Sequence, residues 1–201
     1  IVTMLLNAHL EILGRSPLHA LKILTARGNS PLYLAAQFGK NDVVAIILDY
    51  ARANRILGPI LGAKNGSNQA TALHAASRIG NPEIIVMLLN TCLEILGGDP
   101  LQALTPPNPG ILTMPYNSFF ENFDRQTLRT KTLDGSSPLY LAVESGNNAA
   151  VATILKHARA WELLRVVLDA KNRGDEYTAL HRASCSGNPE IVSMLLNAHL
   201  E

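Results

Sequence analysis

The chain has 201 residues, a formal charge of +1, a mean hydropathy of +0.12 and two cysteines. Seventeen Lys and Arg against sixteen Asp and Glu leave no electrostatic case for nucleic acid or an anionic membrane surface. Cys92 and Cys185 are too few and too far apart for a disulfide framework or a zinc site, and a purely apolar run as long as any, Val43–Leu48, falls far short of the roughly 18 residues a bilayer span needs.

In chain order, Ile1–Leu13 has its apolar residues at helical spacing, with no partner helix before it. IVTMLLNAHLE at Ile1–Glu11 nearly duplicates IVSMLLNAHLE at Ile191–Glu201, so both ends are expected at one phase of a repeating unit within a longer array. Gly14–Gly28 reads as a linker. Then SPLYLAAQFG, Ser30–Gly39, sets a pattern that returns as TALHAASRIG (Thr71–Gly80), SPLYLAVESG (Ser137–Gly146) and TALHRASCSG (Thr178–Gly187). Self-similarity of this kind is the signature of a repeat architecture.

Ser30 is placed as an N-cap with Pro31 in the first turn, Leu32, Ala35 and Ala36 form a narrow apolar face, and Gly39 closes the helix in a left-handed conformation. Asn41–Leu57 is expected as a longer second helix, broken by Gly58, Pro59 and Gly62. Lys64–Gln69 reads as a hairpin tip with Asn65-Gly66 as its cue; Asn65-Gly66-Ser67 also spells a glycosylation sequon, read as a chance match. After Thr71–Gly80, Asn81-Pro82-Glu83 opens a helix over Ile84–Leu96.

Gly97–Leu133 breaks the pattern with Pro100, Pro106, Pro107, Pro109 and Pro115 and gathers Tyr116, Phe119, Phe120 and Phe123. Such an insert either covers the apolar side of the stack or lies in its groove as an internal ligand. Register then resumes: Ser137–Leu168, a hairpin at Asp169–Glu176, and Thr178–Glu201. Ala51-Arg52-Ala53 matches Ala158-Arg159-Ala160, and Ala63-Lys64-Asn65 matches Ala170-Lys171-Asn172, the mark of a duplicated two-repeat unit. The expected organisation is a partial repeat at 1–13, repeats at 29–57 and 70–97, an insert and linker at 98–134, a repeat at 136–168 and a partial final repeat at 177–201.

These residues resemble the ankyrin repeat: a finger, a short inner helix opened by Thr-Pro-Leu-His, a Gly-containing turn and a longer outer helix. Thr71-Ala72-Leu73-His74 and Thr178-Ala179-Leu180-His181 keep the Thr and His, whereas Ser30 with Tyr33 and Ser137 with Tyr140 are relaxed forms. Asp134-Gly135 matches the finger before the motif; Arg27-Gly28 keeps only the Gly. Ser30 to Thr71 and Ser137 to Thr178 each span 41 residues against the usual period of about 33, the extra length falling after the outer helix. Within the family, SPLYLAVESGN and TALHAAS are similar to plant ankyrin membrane proteins of the accelerated-cell-death type. That resemblance implies a cytosolic array ahead of membrane spans, acting in signalling and defence.

The resemblance implies an all-α solenoid of stacked helix pairs with short hairpin fingers, in which His74 and His181 bond backbone between neighbouring fingers. No HExxH, GxxxxGK[ST], GxSxG or paired CxxC occurs, so no metal, phosphate or nucleophile signature is present; no catalytic residue, metal or cofactor is expected, and the chain is read as a non-enzyme. Function is expected on the concave face, where the residue after His or Tyr and the two before Gly point outward. This selects Leu34, Gln37 and Phe38; Ala75, Arg78 and Ile79; Leu141, Glu144 and Ser145; Arg182, Cys185 and Ser186. Leu34, Gln37, Phe38, Arg78, Ile79, Glu144, Arg182 and Cys185 are the candidate partner-binding residues, with Phe38 and Ile79 either an apolar anchor rimmed by arginines or packed on adjacent fingers. The expected function is a cytoplasmic protein–protein interaction scaffold; the alternative is the cytosolic regulatory domain of a membrane channel or transporter. Leu5, Leu6 and Leu10 at one end and Leu195 and Leu196 at the other are expected to present apolar faces for head-to-tail self-association.

Overall fold

The computed structural model describes residues 24–97 and 127–201, together with Met4 and Leu21. Met4 apart, the partial repeat expected at 1–13 lies outside the described residues, as does the insert up to residue 126. All regular structure among the described residues is helical. Inner helices are α1 (Pro31–Gln37), α4 (Ala72–Ile79), α6 (Pro138–Ser145) and α9 (Ala179–Ser186); outer helices are α2 (Asn41–Ala53), α5 (Pro82–Gly97), α7 (Asn148–Ala160) and α10 (Pro189–His199). Two five-residue helices, α3 (Leu57–Leu61) and α8 (Leu164–Leu168), complete the set.

Each inner helix starts where the sequence expects, on a hydroxyl. Ser30 Oγ accepts the Tyr33 N–H at 3.2 Å and Ser137 Oγ the Tyr140 N–H at 3.2 Å, each satisfying one of the orphan donors of a helix start. Thr71 and Thr178 do the same in reciprocal capping boxes with His74 and His181. Three of the outer helices start on Asn: Asn81, Asn147 and Asn188 accept from the N–H groups of Ile84, Ala150 and Ile191. Gly80, Gly146 and Gly187 end their inner helices in the left-handed region, at φ of +72°, +69° and +71°, where a Cβ is disfavoured.

The first outer helix is shorter than expected. It ends at Ala53, not Leu57, because Asn54 Nδ2 donates to the Tyr50 carbonyl at 2.8 Å and Arg55 turns left-handed at φ +56°. Gly58 and Pro59, read as breakers, sit inside α3. Pro59 lies in its first turn, where no intrahelical N–H is needed. The duplicate behaves identically, with Glu162 at φ +57° before α8. The extra residues per repeat are therefore a short helix that buries Ile60 and Leu61, or Val167 and Leu168. It packs on the next outer helix, α3 on α5 and α8 on α10.

Helix pairs stack in one row. Inner helices touch in the order α1, α4, α6, α9 and outer helices in the order α2, α5, α7, α10, so the stack runs on between α5 and α7 although residues 98–126 separate them in sequence. The equivalent alanines Ala35, Ala76, Ala142 and Ala183 are at most 6 % exposed, and their small side chains let adjacent inner helices close to the spacing of about 8–10 Å typical of packed helices. Between the layers lie Leu32, Leu73 and Leu139 with Ile47, Leu88, Ile154 and Ile191, all at most 3 % exposed. Each contributes about 1.5–3 kcal/mol by burial, and no pair can bury them alone.

The fingers correct the hairpin reading. Among the described residues no ladder forms and Gly66 is not left-handed; Gln69 is, at φ +59°, as is its duplicate Glu176 at +56°. Finger two is instead built around Asn65, 3 % exposed, whose Oδ1 accepts the N–H groups of Asn68 and Ala70 at 3.2 and 2.9 Å. That amide, buried and bonded, suits the reading of the sequon as chance. One backbone bond joins each finger to the next: Gly66 N to Gly28 O at 3.2 Å, Leu133 N to Asn68 O at 2.7 Å, and Arg173 N to Asp134 O at 2.8 Å. Gly28 and Gly135 are required at these joints. A Cβ there would lie 2.5 Å from Gly66 N or 2.6 Å from Arg173 N.

At the last outer helix, Leu195 is fully buried and Leu196 is 48 % exposed. The expectation of an apolar face through both is corrected for Leu195, which points inward at helical spacing from Ile191. Leu5, Leu6 and Leu10 lie outside the described residues.

Candidate concave binding face

The inner helices and fingers form one face whose residues come from every repeat. Phe38 and Ile79, equivalent positions of α1 and α4, are 65 % and 51 % exposed, so neither is packed away on a finger. Arg78, Glu144 and Cys185 are exposed as expected, while Leu34, Gln37 and Arg182 are half-buried. Ala75 and Leu141 are 1 % and 7 % exposed. The rule that the residue after His or Tyr points outward is thus corrected: the tight stacking of α4 on its neighbours covers that position. Of the remaining two, Ser186 is exposed and Ser145 half-buried.

The candidate residues are tied together across repeats. A guanidinium N–H of Arg78 donates to the Tyr33 hydroxyl at 3.3 Å, bridging α4 to α1. Arg182 donates to Glu144 Oε1 at 2.9 Å, bridging α9 to α6. Arg182 is thus occupied by a carboxylate of its own face, whereas Arg78 makes no ion pair among the described residues. Cys185 stands exposed on α9.

Asn68, Ala70, His74, Arg78, Thr132, Asp134 and Leu141 enclose a notch of about 30 Å³ at the finger end, room for about one water molecule. Its finger residues escaped the sequence reading because the fingers were taken only as turns. Asp134 Oδ2 accepts from the Ser136 hydroxyl at 3.1 Å and Oδ1 from the Thr132 hydroxyl. Burial pushes this carboxyl up, but those hydroxyls and backbone N–H groups outweigh it and hold it below the ordinary carboxylate range.

His74 is 1 % exposed. Its Nδ1 faces the Thr71 N–H at 3.2 Å, a donor, so Nδ1 must accept and the proton sits on Nε2, which donates to the Thr130 carbonyl at 3.1 Å. Burial pushes the imidazole down to about 4, only partly opposed by the Thr130 carbonyl, so it is neutral near pH 7. This is the backbone bond towards the neighbouring finger that the resemblance implied. His181 is the correction: it keeps the capping box with Thr178 but is exposed, its ring stacked on Tyr177 with centroids 5.6 Å apart.

On the opposite side, outer helices are laced by pairs 42 residues apart that the sequence reading also missed. Arg52 grips Glu94 with two bonds of 2.9 and 3.1 Å, and Arg159 grips Glu201 in the same way. Asn41 donates to Glu83 and Asn148 to Glu190. The four are two pairs and their copies on the 107-residue duplication, and that recurrence was the signal available. At the turn end, Asn41, Ile79, Gly80, Asn81, Pro82 and Glu83 line an open groove of about 360 Å³.

Among the described residues, no three His, Cys, Asp or Glu side chains gather as a metal site, and no helix is long and apolar enough to cross a membrane. A family model for ankyrin repeats (three copies) matches residues 1–98 and 116–201. No curated protein matches the chain significantly. Inner and outer helices that keep dry only against the next pair, fingers joined one bond at a time, and a family match over most of the length lead to one conclusion: the chain belongs to the ankyrin-repeat family.

Proposed function

We propose that this chain is a protein–protein interaction scaffold that seats a partner across its concave face, using Leu34, Gln37, Phe38, Arg78, Ile79, Glu144, Arg182 and Cys185, with no covalent step. Ankyrin repeats generally mediate protein–protein interaction, which supports the class. The observation that carries the site is the exposure of Phe38 and Ile79, at 65 % and 51 %, on consecutive inner helices of a stacked array. Large apolar side chains held in water by a stacked scaffold act as anchors once a partner covers them. The similarity to plant ankyrin membrane proteins of the accelerated-cell-death type supports a cytosolic setting in defence or stress signalling. It also supports the second reading, a regulatory domain of a membrane channel or transporter. Exposed Leu196 and Leu200 on or beside α10 support head-to-tail self-association, for which the expected readout is a mass that rises with concentration in light scattering; a monomer throughout would sink it.

The site is tested by selecting displayed random peptides on the intact chain and rescoring them on Phe38→Ser/Ile79→Ser. Binders lost on that variant, and kept on the outer-helix variant Arg52→Ala/Arg159→Ala, are the expected result. A pool indifferent to the concave variant would refute the site.

A further inference from the structure

Basic side chains gather at the finger end of the concave face. On the outer helices, Arg52 and Arg159 are consumed by Asp49, Glu94 and Glu201, while Lys156 makes no ion pair among the described residues. On the concave side and its fingers, Arg27, Lys64, Arg78, Lys131 and Arg173 make no ion pair among the described residues. Four of the five are exposed tips of consecutive fingers: Arg27 in the first, Lys64 leading into the second, Lys131 and Arg173 in the third and fourth. Lys131 and Arg173 even lean together, Lys131 Nζ donating to the Lys171 carbonyl at 2.8 Å and Arg173 to the Leu133 carbonyl at 3.3 Å. Of the acidic groups on this face, Glu144 is paired with Arg182 and Glu176 with Lys171, which leaves Asp134 and Asp175 without an ion pair against the five basic residues. The finger end of the concave face is therefore net positive in a chain whose total charge is only +1.

The apolar anchors lie at the other end. Phe38 and Ile79 sit at the C-terminal ends of α1 and α4, next to the turn groove that Ile79 helps to line. Eight residues of helix, Ala72–Ile79, separate the two ends by about 12 Å, which an extended peptide covers in about four residues. Arg78, one residue before Ile79 and bonded to the Tyr33 hydroxyl, lies between them.

We propose that the partner element is an acidic extended polypeptide segment: a large apolar residue seated on Phe38 and Ile79, with a cluster of Asp or Glu about four residues away among the basic finger residues. This names the partner class for the concave site and rests on that reading. Protein is favoured over nucleic acid because the anchors are apolar, and because Asp134, Glu144, Asp175 and Glu176 stand among the basic residues, where they repel a continuous phosphate backbone while leaving room for spaced carboxylates. The attraction is between solvent-exposed groups, so it acts on encounter and register and is screened by salt.

The experiment is a selection of random twelve-residue displayed peptides on the intact chain. Peptides rejected by Phe38→Ser/Ile79→Ser are sequenced, and the synthetic winners are titrated by fluorescence anisotropy at 50 and 300 mM NaCl. The expected winners carry a Leu, Phe or Met spaced about four residues from an acidic cluster. They should weaken about tenfold at the higher salt and several-fold on Arg78→Ala/Lys131→Ala, yet not on Arg52→Ala. Circular dichroism melts confirm that each variant folds. Winners that are anchor-dependent but neutral or basic would overturn the acidic-segment proposal and leave the concave site standing. A pool with no anchor-dependent binders would overturn both. Tighter binding of a twelve-nucleotide oligothymidylate than of any selected peptide would overturn it in favour of nucleic acid.

Discussion

Two stretches of this chain, Ser30–Asn90 and Ser137–Asn197, are copies displaced by 107 residues, and they fold into the same parts down to their left-handed non-glycine residues, Arg55 with Glu162 and Gln69 with Glu176. They differ in how the described residues cover their second repeat. Behind α4 comes α6, so His74 is buried and bonds Thr130. In the second copy the same Thr–His box leaves His181 exposed against Tyr177. Local chemistry is set by the repeated sequence; its energetic weight is set by the neighbour. The joints differ too. Within each copy the outer helices are tied by exposed Asn, Arg and Glu pairs, whereas the central joint is tied through two buried rings, His74 to Thr130 and His157 Nε2 with Asn90 Oδ1 at 3.2 Å.

The sharpest way to break the symmetry is the paired substitution His74→Ala and His181→Ala. The first removes a buried ring, its reciprocal cap and a cross-finger bond, and should cost about 3–4 kcal/mol in urea unfolding; the second loses an exposed cap worth about 1 kcal/mol. Equal losses would show that the central joint is not special.

Titration gives a related measurement. The folded imidazole of His74 lies at about 4, below its ordinary 6.5, so the unfolded chain binds the extra proton first. Its contribution is therefore complete above about pH 6.5 and is lost on acidification towards pH 4, on the order of 3 kcal/mol in all. Unfolding followed between pH 7 and 4 should show this slope, and His74→Gln should flatten it. An unchanged slope would place the titrating group elsewhere.

Glycines come next. Gly80→Ala must adopt φ +72° with its new Cβ 2.8 Å from Asn147 Cβ and Ser145 Oγ, whereas Gly146→Ala, at φ +69°, meets open space. The first should cost about 2–3 kcal/mol and the second about 1 kcal/mol, the strain alone. Melting temperatures of the two variants test the order. The smallest effect is expected at the outer-helix pairs: Arg52→Ala should cost less than about 1 kcal/mol, and less still in high salt, and Arg159→Ala should leave the melting temperature almost unmoved, because both partners of each pair are exposed.

Much of the fold was legible because the repeat writes its own punctuation. Ser30, Thr71, Ser137 and Thr178 are hydroxyl caps, Asn81 and Asn188 precede prolines, and glycines follow the inner helices; each acts on atoms within four residues of itself, so sequence suffices. The end of α2 was misread because the Asn54 side-chain amide closes the helix on the Tyr50 carbonyl, a bond that helical periodicity does not encode. The finger at Asn65 was misread because its turn is built by a buried amide, not by the Asn-Gly pair. Of the exposed concave positions, Phe38, Ile79 and Arg78 were placed from phase alone. Ala75 and Leu141 were misplaced because their cover comes from another repeat.

Sequence by itself determined the inner and outer helices, most of their caps, their phase and the family, since those depend on short-range hydrogen bonds and on a pattern repeated within one chain. Tertiary structure alone decided that α5 packs directly on α7, that one box histidine is buried and its copy wet, and that basic side chains without ion pairs line the finger tips. Those outcomes depend on which repeat stands next to which, and contact between residues forty to a hundred positions apart is settled by packing, not by local preference.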